Sequence, residues 1–180
     1  ENFVGILQPG PDLDDGIPYV RPSEIKGSHI EITKLRKTSS EIARKYQKSA
    51  IRSGDILLTI VGTIGEVAVV PPELEGANIT QSSCRIRIDS CLANPVYVYH
   101  YLKSKRIRRQ IERDRLGVAV ERLNLHHVRD MEILLLPREI QETFATEIIS
   151  LESVASGWSA LANRVSALSS SLQHSFFGAK

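Results

Sequence analysis

Cysteine is scarce in this 180-residue sequence: Cys84 and Cys91 are the complete set. Two are too few for a disulfide framework, and no second pair or suitably spaced histidine makes a zinc site of them. Both are expected as buried or partly buried thiols. Long apolar runs are missing too; none approaches the roughly 18–20 residues of a membrane span. The start lacks the charged, apolar and small-residue succession of a secretory signal, so a soluble, cytoplasmic protein is expected. There is no "GxxxxGK[ST]" phosphate loop, no "GxGxxG" and no "GxSxG" elbow. His126 and His127 are adjacent, about 100° apart on a helix, and cannot share a metal as an i, i+4 pair could; they read as ordinary loop or helix histidines. The chain begins at Glu1 rather than a methionine, so a fragment of a longer polypeptide is expected.

What is present is enough apolar material, 42% of residues, for one domain with a proper core plus one protruding element. The net charge of +2 hides an asymmetry. Residues 1–20 sum to −4, residues 21–122 to +8 and residues 123–180 to −2. A basic middle between acidic ends points to a polyanion-binding face on the globular part and leaves the tail another role.

Along the chain, "GIPYVR" reads as a strand. "SSEIARKYQKS" reads as a serine-capped short helix with Arg44, Lys45 and Lys48 on a basic side. "SGDILLTIVGTIGEVAVV" holds two apolar, β-branched runs broken by Gly62 and Gly65, hence two buried strands joined by a tight "GTIG" turn. "SCRIRID" alternates, which puts Cys84, Ile86 and Ile88 on a core face and Arg85 and Arg87 on a wet, basic one. Asn94 and Pro95 are a cap and first-turn proline. Their helix is expected through "VYVYHYLKSKRIRRQIERDR", with a break near Ser104 and a stop at Gly117. "MEILLLP" reads as a further buried strand closed by Pro137.

From Arg138 the period is helical. Leu151, Val154, Trp158, Leu161, Val165, Leu168 and Leu172 alternate in steps of three and four, the spacing of a coiled-coil seam. A helix over residues 139–177 is about 58 Å long at 1.5 Å per residue, against a domain diameter of about 30–35 Å, so part of it is expected to project. In the heptad frame that starts at Leu151, the flanking positions hold Gly157, Arg164 and Ser171 on one side and Ala155, Ala162 and Ser169 on the other. Small residues there suit close packing against another helix. Folding back on its own domain is the weaker alternative, because the stripe outruns what the domain can cover. Burying seven such side chains is worth about 1.5–3 kcal/mol each, so a partner helix is implied.

With these pieces in order, the chain resembles one half of the specificity subunit of a Type I restriction-modification system. The resemblance runs over nearly the whole chain, through "GIPYVR", "GDILLTIVGTIG", "NITQSS", "RLNLHHVRDMEILLLP", the glutamine of "REIQETFATEI" and the terminal "SLQHSFFGAK". Arg138 departs from it, standing where the family often has a second proline. It implies an α+β fold: a mixed-sheet target recognition domain over residues 1–137, then a long coiled-coil helix over 138–180. It implies a non-catalytic protein without a cofactor of its own, S-adenosylmethionine and ATP belonging to the methyltransferase and restriction subunits. The implied partners are double-stranded DNA, the methyltransferase subunits with the restriction subunit through them, and a second half-subunit or second copy paired antiparallel through the tail.

For DNA contact, Arg36, Lys37, Arg44, Lys45 and Lys48 are expected in a loop and short helix that reach a groove. The basic helix offers Lys105, Arg106, Arg108, Arg109 and Arg113, though Glu112 and Asp114 allow it to be a solvated face. Base readers need forked or planar donors and acceptors, and Arg21, Thr63, Gln81, Ser82 and Ser83 are the candidates. Two other readings compete. A metal-dependent nuclease would use Asp55 and Glu66, but Ala68 stands where its lysine should be. A purely structural coiled-coil module would leave the basic middle unexplained.

Overall fold

The computed structural model describes residues 5–115 and 121–177, with side chains as far as residue 169. It divides into two units, Glu1–Leu135 and Leu136–Lys180. Strand β1 (Ile17–Val20) is the middle of a mixed sheet, antiparallel to β4 (Arg36–Thr38) and parallel to β7 (Asn78–Ile79). A two-stranded ribbon, β2 (Ile25–Lys26) and β3 (His29–Ile30), lies between β1 and β4 in the chain. The second three-stranded sheet is antiparallel, in the order β6 (Val67–Val69), β5 (Ile56–Thr59), β8 (Ser83–Ile86). Helices α1 (Ser40–Lys45), α2 (Pro95–Leu102), α3 (Lys105–Asp114) and α4 (Leu125–Arg129) complete the first unit. The fold is α+β.

The core follows from the apolar runs. Every residue of β5 is buried, as an unbroken "ILLT" stretch requires of a strand covered on both faces. Leu57 and Ala68 of the antiparallel sheet join Val20 and Ile79 of the mixed sheet, together with Ile25, Ile51 and Leu74, in one apolar cluster. The helix caps also follow the sequence. Ser39 Oγ accepts from the Ile42 N–H at 3.2 Å, and Asn94 Oδ1 accepts from those of Val96 and Tyr97 at 2.9 and 3.3 Å. The break near Ser104 is real: its Oγ caps α3 by accepting from the Ile107 N–H. The expected stop at Gly117 lies outside the described residues.

Several local expectations differ from the structure. The "GTIG" turn is the tip of a wider connection over residues 60–66, in which Gly62 and Gly65 take φ of 80° and 90°. Its base is stitched by buried Thr59, whose Oγ1 donates to the Thr63 carbonyl and accepts from the Glu66 N–H at 3.0 Å. "MEILLLP" is not a strand. Its backbone is held by side chains instead: Gln110 donates to the Glu132 carbonyl at 3.2 Å and accepts from the Glu132 N–H at 3.0 Å, and Tyr97 Oη donates to the Leu134 carbonyl at 2.6 Å. Leu134 and Leu135 are consequently exposed. Cys84 is buried, and burial pushes its thiol up to about 12. Cys91 is exposed, because it sits in a turn where Asp89 Oδ1 accepts its N–H at 2.9 Å.

The second unit is one helix, α5 (Arg138–Phe177), 40 residues or about 60 Å long. It starts one residue before the expected Glu139. Near its start Gln141 is buried and donates Nε2 to the Leu136 carbonyl at 2.7 Å. Thr143, Thr146, Ser150 and Ser159 return their hydroxyls to carbonyls one turn earlier, so these polar side chains are satisfied within the helix.

Candidate nucleic-acid interface

The cations expected to touch DNA fall into distinct situations. Arg21 is held locally: its guanidinium grips buried Glu24 through Nε at 3.2 Å and Nη2 at 2.5 Å, and its N–H donates to the same carboxylate at 2.8 Å. Burial pushes the Glu24 carboxyl up, but hydrogen bonds from Arg21 and Ser23 outweigh it and hold it below the ordinary carboxylate value. Arg36 and Lys37 lie in strand β4 rather than a loop, because their backbones pair with Tyr19 and Pro18 of β1. Lys37 Nζ donates to the Asp14 carbonyl at 2.8 Å, and Arg36 faces Asp12 at 3.9 Å. Ser83 is buried in strand β8 and presents nothing to a ligand.

Arg44, Lys45 and Lys48 are exposed on α1 and the 3₁₀ turn that follows it. Lys45 lies over the Tyr46 ring at 5.9 Å. Lys48 borders a shallow depression with Arg52, Arg85, Arg87 and one carboxylate, Glu75. Of the two arginines expected on a wet basic face, Arg87 is exposed as the alternation suggested, whereas Arg85 is largely buried. Both turn onto Asp55 at the start of β5, Arg87 with paired 2.7 Å bonds and Arg85 at 3.9 Å. A carboxylate buried to 3% exposure has to be neutralised, and these arginines do it.

Thr63, Gln81, Ser82 and Arg108 gather around the other end of β5. The backbone just beyond β5 has neighbours on both sides: Ile60 N–H donates to the Ser82 carbonyl at 2.9 Å, and Leu123 N–H to the Ile60 carbonyl at 2.8 Å. Val61 and Arg122 form an antiparallel bridge. In "RLN" at 122–124, strand alternation buries Leu123 and turns Arg122 and Asn124 outward. Short α4 follows directly. The result is a cleft floored by Ile60 and Leu123 and bordered by Gln81, Arg122, Asn124, His126 and Arg129. Among the described residues, no carboxylate lines it, and neither Arg122 nor Arg129 has an ion pair. His126 and His127 stack edge-on in α4, ring centroids 3.9 Å apart. Arg108 borders a neighbouring hollow that Glu66 and Glu112 partly neutralise; Gly65 approaches Ile111 there, 3.5 Å from where a Cβ would sit.

Arg122, Asn124 and Arg129 were not legible in the sequence as the lining of one cleft. Their signal was the polar–apolar alternation of "RLNL", which resembles any exposed edge and acquires meaning once Val61 and Gln81 are placed beside it. The nuclease alternative finds no support in the placement of its two acids. Val70 N–H donates to the Asp55 carbonyl at one end of β5, and Thr59 N–H to the Glu66 carbonyl at the other. That sets Asp55 and Glu66 at opposite ends of the strand, their backbones about 13 Å apart along it.

On α5, Leu151, Val154, Trp158, Leu161, Val165 and Leu168 are all exposed, while the Leu172 side chain lies outside the described residues. Trp158, Leu161 and Val165 border a shallow hollow with Ala162, Ser166 and Ser169.

Residues 12–153 match the family model described as Type I restriction modification DNA specificity domain. The chain is 30% identical over 151 residues to the Type I restriction enzyme EcoBI specificity subunit of Escherichia coli, an alignment covering 84% of this chain and 32% of that protein. Its fold is similar to the HsdS subunit from Thermoanaerobacter tengcongensis, with a TM-score of 0.62, 21% identity, and coverage of 91% of this chain and 44% of that one. It is equally similar to the Type I restriction-modification system S subunit from M. genitalium, with a TM-score of 0.62, 16% identity, and coverage of 97% and 42%. The chain thus spans about a third of the curated relative and less than half of either solved structure. From the matched strands of the first unit to the start of α5, the chain belongs to the Type I restriction modification DNA specificity domain family.

Proposed function

We propose that this chain is a non-catalytic DNA-reading component of a cytoplasmic Type I restriction-modification assembly, and that its first unit recognises one half of a bipartite double-stranded target. The observation that carries this reading is the cleft at the end of β5, where, among the described residues, the arginines have no ion pair, stand beside forked and planar side chains, and meet no competing carboxylate. Exposed Arg44, Lys45 and Lys48 supply phosphate contacts that position the duplex without reading it.

Helix α5 pairs antiparallel with a matching helix, from a second half-subunit or a second copy, and offers a docking surface to methyltransferase subunits, which bring the restriction subunit with them. The exposed ridge from Leu151 to Leu168 supports the pairing. So does Gly157: a Cβ there would meet nothing within 4 Å, so the helix's own packing has no need of glycine. A mid-helix glycine costs about 0.5–1 kcal/mol relative to alanine, and a closely packed neighbour gives that cost a purpose.

The test is duplex binding measured across a salt series. Affinity should fall linearly in log salt, and charge reversal at Lys45 and Lys48 should weaken binding to all sequences alike. Salt-independent binding, or none, would remove DNA recognition from the proposal.

A further inference from the structure

We infer that the cleft bordered by Gln81, Arg122, Asn124 and Arg129 is where base edges are read, and that it reads at least one guanine through an arginine fork. The inference rests on the DNA reading above and deepens it by separating the side chains that read from those that hold.

The separation follows from what each cation has to do inside the protein. Arg21, Arg85 and Arg87 serve the carboxylates of Glu24 and Asp55. Arg106, Arg113 and Arg115 face Glu132, Asp114 and Glu121. Arg122 and Arg129 have no such partner among the described residues, and they border one hollow that contains no acid. An arginine that has surrendered neither of its donor edges can present two parallel N–H groups, and guanine O6 and N7 are the acceptor pair that matches them in the major groove.

The backbone beneath Gln81, Arg122 and Leu123 is tied by hydrogen bonds and a bridge, as direct readout demands. Arg122 is set by the bridge to Val61 and by Leu123, 1% exposed, locked beneath the sheet. Gln81 is set from the other side of the same backbone, since Ser82 accepts from both Ile60 and Val61 and the Gln81 N–H donates to the Ile6 carbonyl at 3.3 Å. Two amide side chains, Gln81 and Asn124, therefore flank Arg122 on fixed backbone. Amides match the N6 and N7 edge of adenine, so the cleft carries readers of both purines. Arg44, Lys45 and Lys48, by contrast, stand on α1 and its following turn, outside the cleft lining; lysine there is a mobile point charge suited to phosphate.

The experiment is a selection of bound sequences from a random duplex library by the full chain, followed by affinity measurements on the selected duplex and on the same duplex with 7-deazaguanine at each guanine in turn. The selected motif should contain a guanine whose N7 removal weakens binding by about ten- to a hundredfold. Arg122→Ala or Arg129→Ala should bind the unmodified and the 7-deaza duplex alike and select a motif relaxed at that position. Lys48→Ala should weaken binding to every duplex and keep the motif. If Arg122→Ala and Arg129→Ala both retain the wild-type motif, or if that motif lacks guanine, the cleft assignment is overturned while DNA recognition stands. If the wild-type chain selects nothing and retains no duplex at low salt, the DNA reading itself has failed.

Discussion

Asp55 takes the guanidinium of Arg87 on both carboxylate oxygens, Nε on Oδ1 and Nη2 on Oδ2, each at 2.7 Å. The same carboxylate accepts the Arg52 N–H at 2.7 Å and faces Arg85 at 3.9 Å. This cluster closes the start of β5, at the opposite end of the strand from the proposed reading cleft. Asp55→Ala leaves a largely buried Arg85 without its counter-charge, so urea unfolding should show a loss of about 3–5 kcal/mol, the range for breaking a buried pair. A change below about 1 kcal/mol would mean that water already solvates the guanidinium groups.

The Glu24 carboxyl titrates below its ordinary value near 4.5, held there by hydrogen bonds from Arg21 and Ser23 against the opposing pull of burial. A lowered acid binds fewer protons folded than unfolded, so its stabilisation is complete above the unfolded value and disappears as pH falls through the folded one. The acid limb of the stability curve should therefore flatten below pH 4.5 in Glu24→Gln relative to wild type. Identical acid limbs would show that the Arg21–Glu24 pair contributes nothing to folding.

Thiol labelling separates the two cysteines. At pH 8, Cys91 should react with a maleimide at the rate of an open thiol, whereas Cys84, buried and raised to about 12, should react only as the protein unfolds. Equal labelling rates in the native protein would place Cys84 outside the core.

The Thr59 hydroxyl bridges the base of the 60–66 connection, donating to the Thr63 carbonyl and accepting from Glu66 N–H. Thr59→Val keeps the shape and removes both bonds from partners that are only partly buried, at about 0.5–1.5 kcal/mol each. Faster amide exchange at Glu66 is the expected local signature, and an unchanged exchange rate there would contradict it.

On α5, Trp158→Asp or Leu161→Asp places a charge on the exposed ridge. Sedimentation should show self-association or subunit assembly lost, with slow amide exchange in buried β5 unchanged. Normal assembly by both variants would remove the ridge from the pairing surface.

Much of the architecture is written in local chemistry. The serine and asparagine caps, the break at Ser104, the buried "ILLT" strand and the periodic tail each depend on residues within a few positions of one another, and such short-range preferences survive in any context. The ridge of α5 belongs here as well, because helical spacing alone puts its apolar residues on one face.

Partnerships across the fold were beyond that reach. "MEILLLP" has a strand's composition, yet Gln110 and Tyr97 occupy backbone groups of it and, among the described residues, no strand pairs with it. Arg85 alternates like a surface residue, yet a carboxylate thirty positions earlier draws it inward. The reading cleft unites Gln81 with Arg122 and Arg129 through the backbone of Ile60 and Val61. An isolated sequence determines where a side chain stands on its own helix or strand; which charge it must neutralise, and which remain free to meet a ligand, is settled only when distant strands close and desolvation makes an unpaired buried charge too costly.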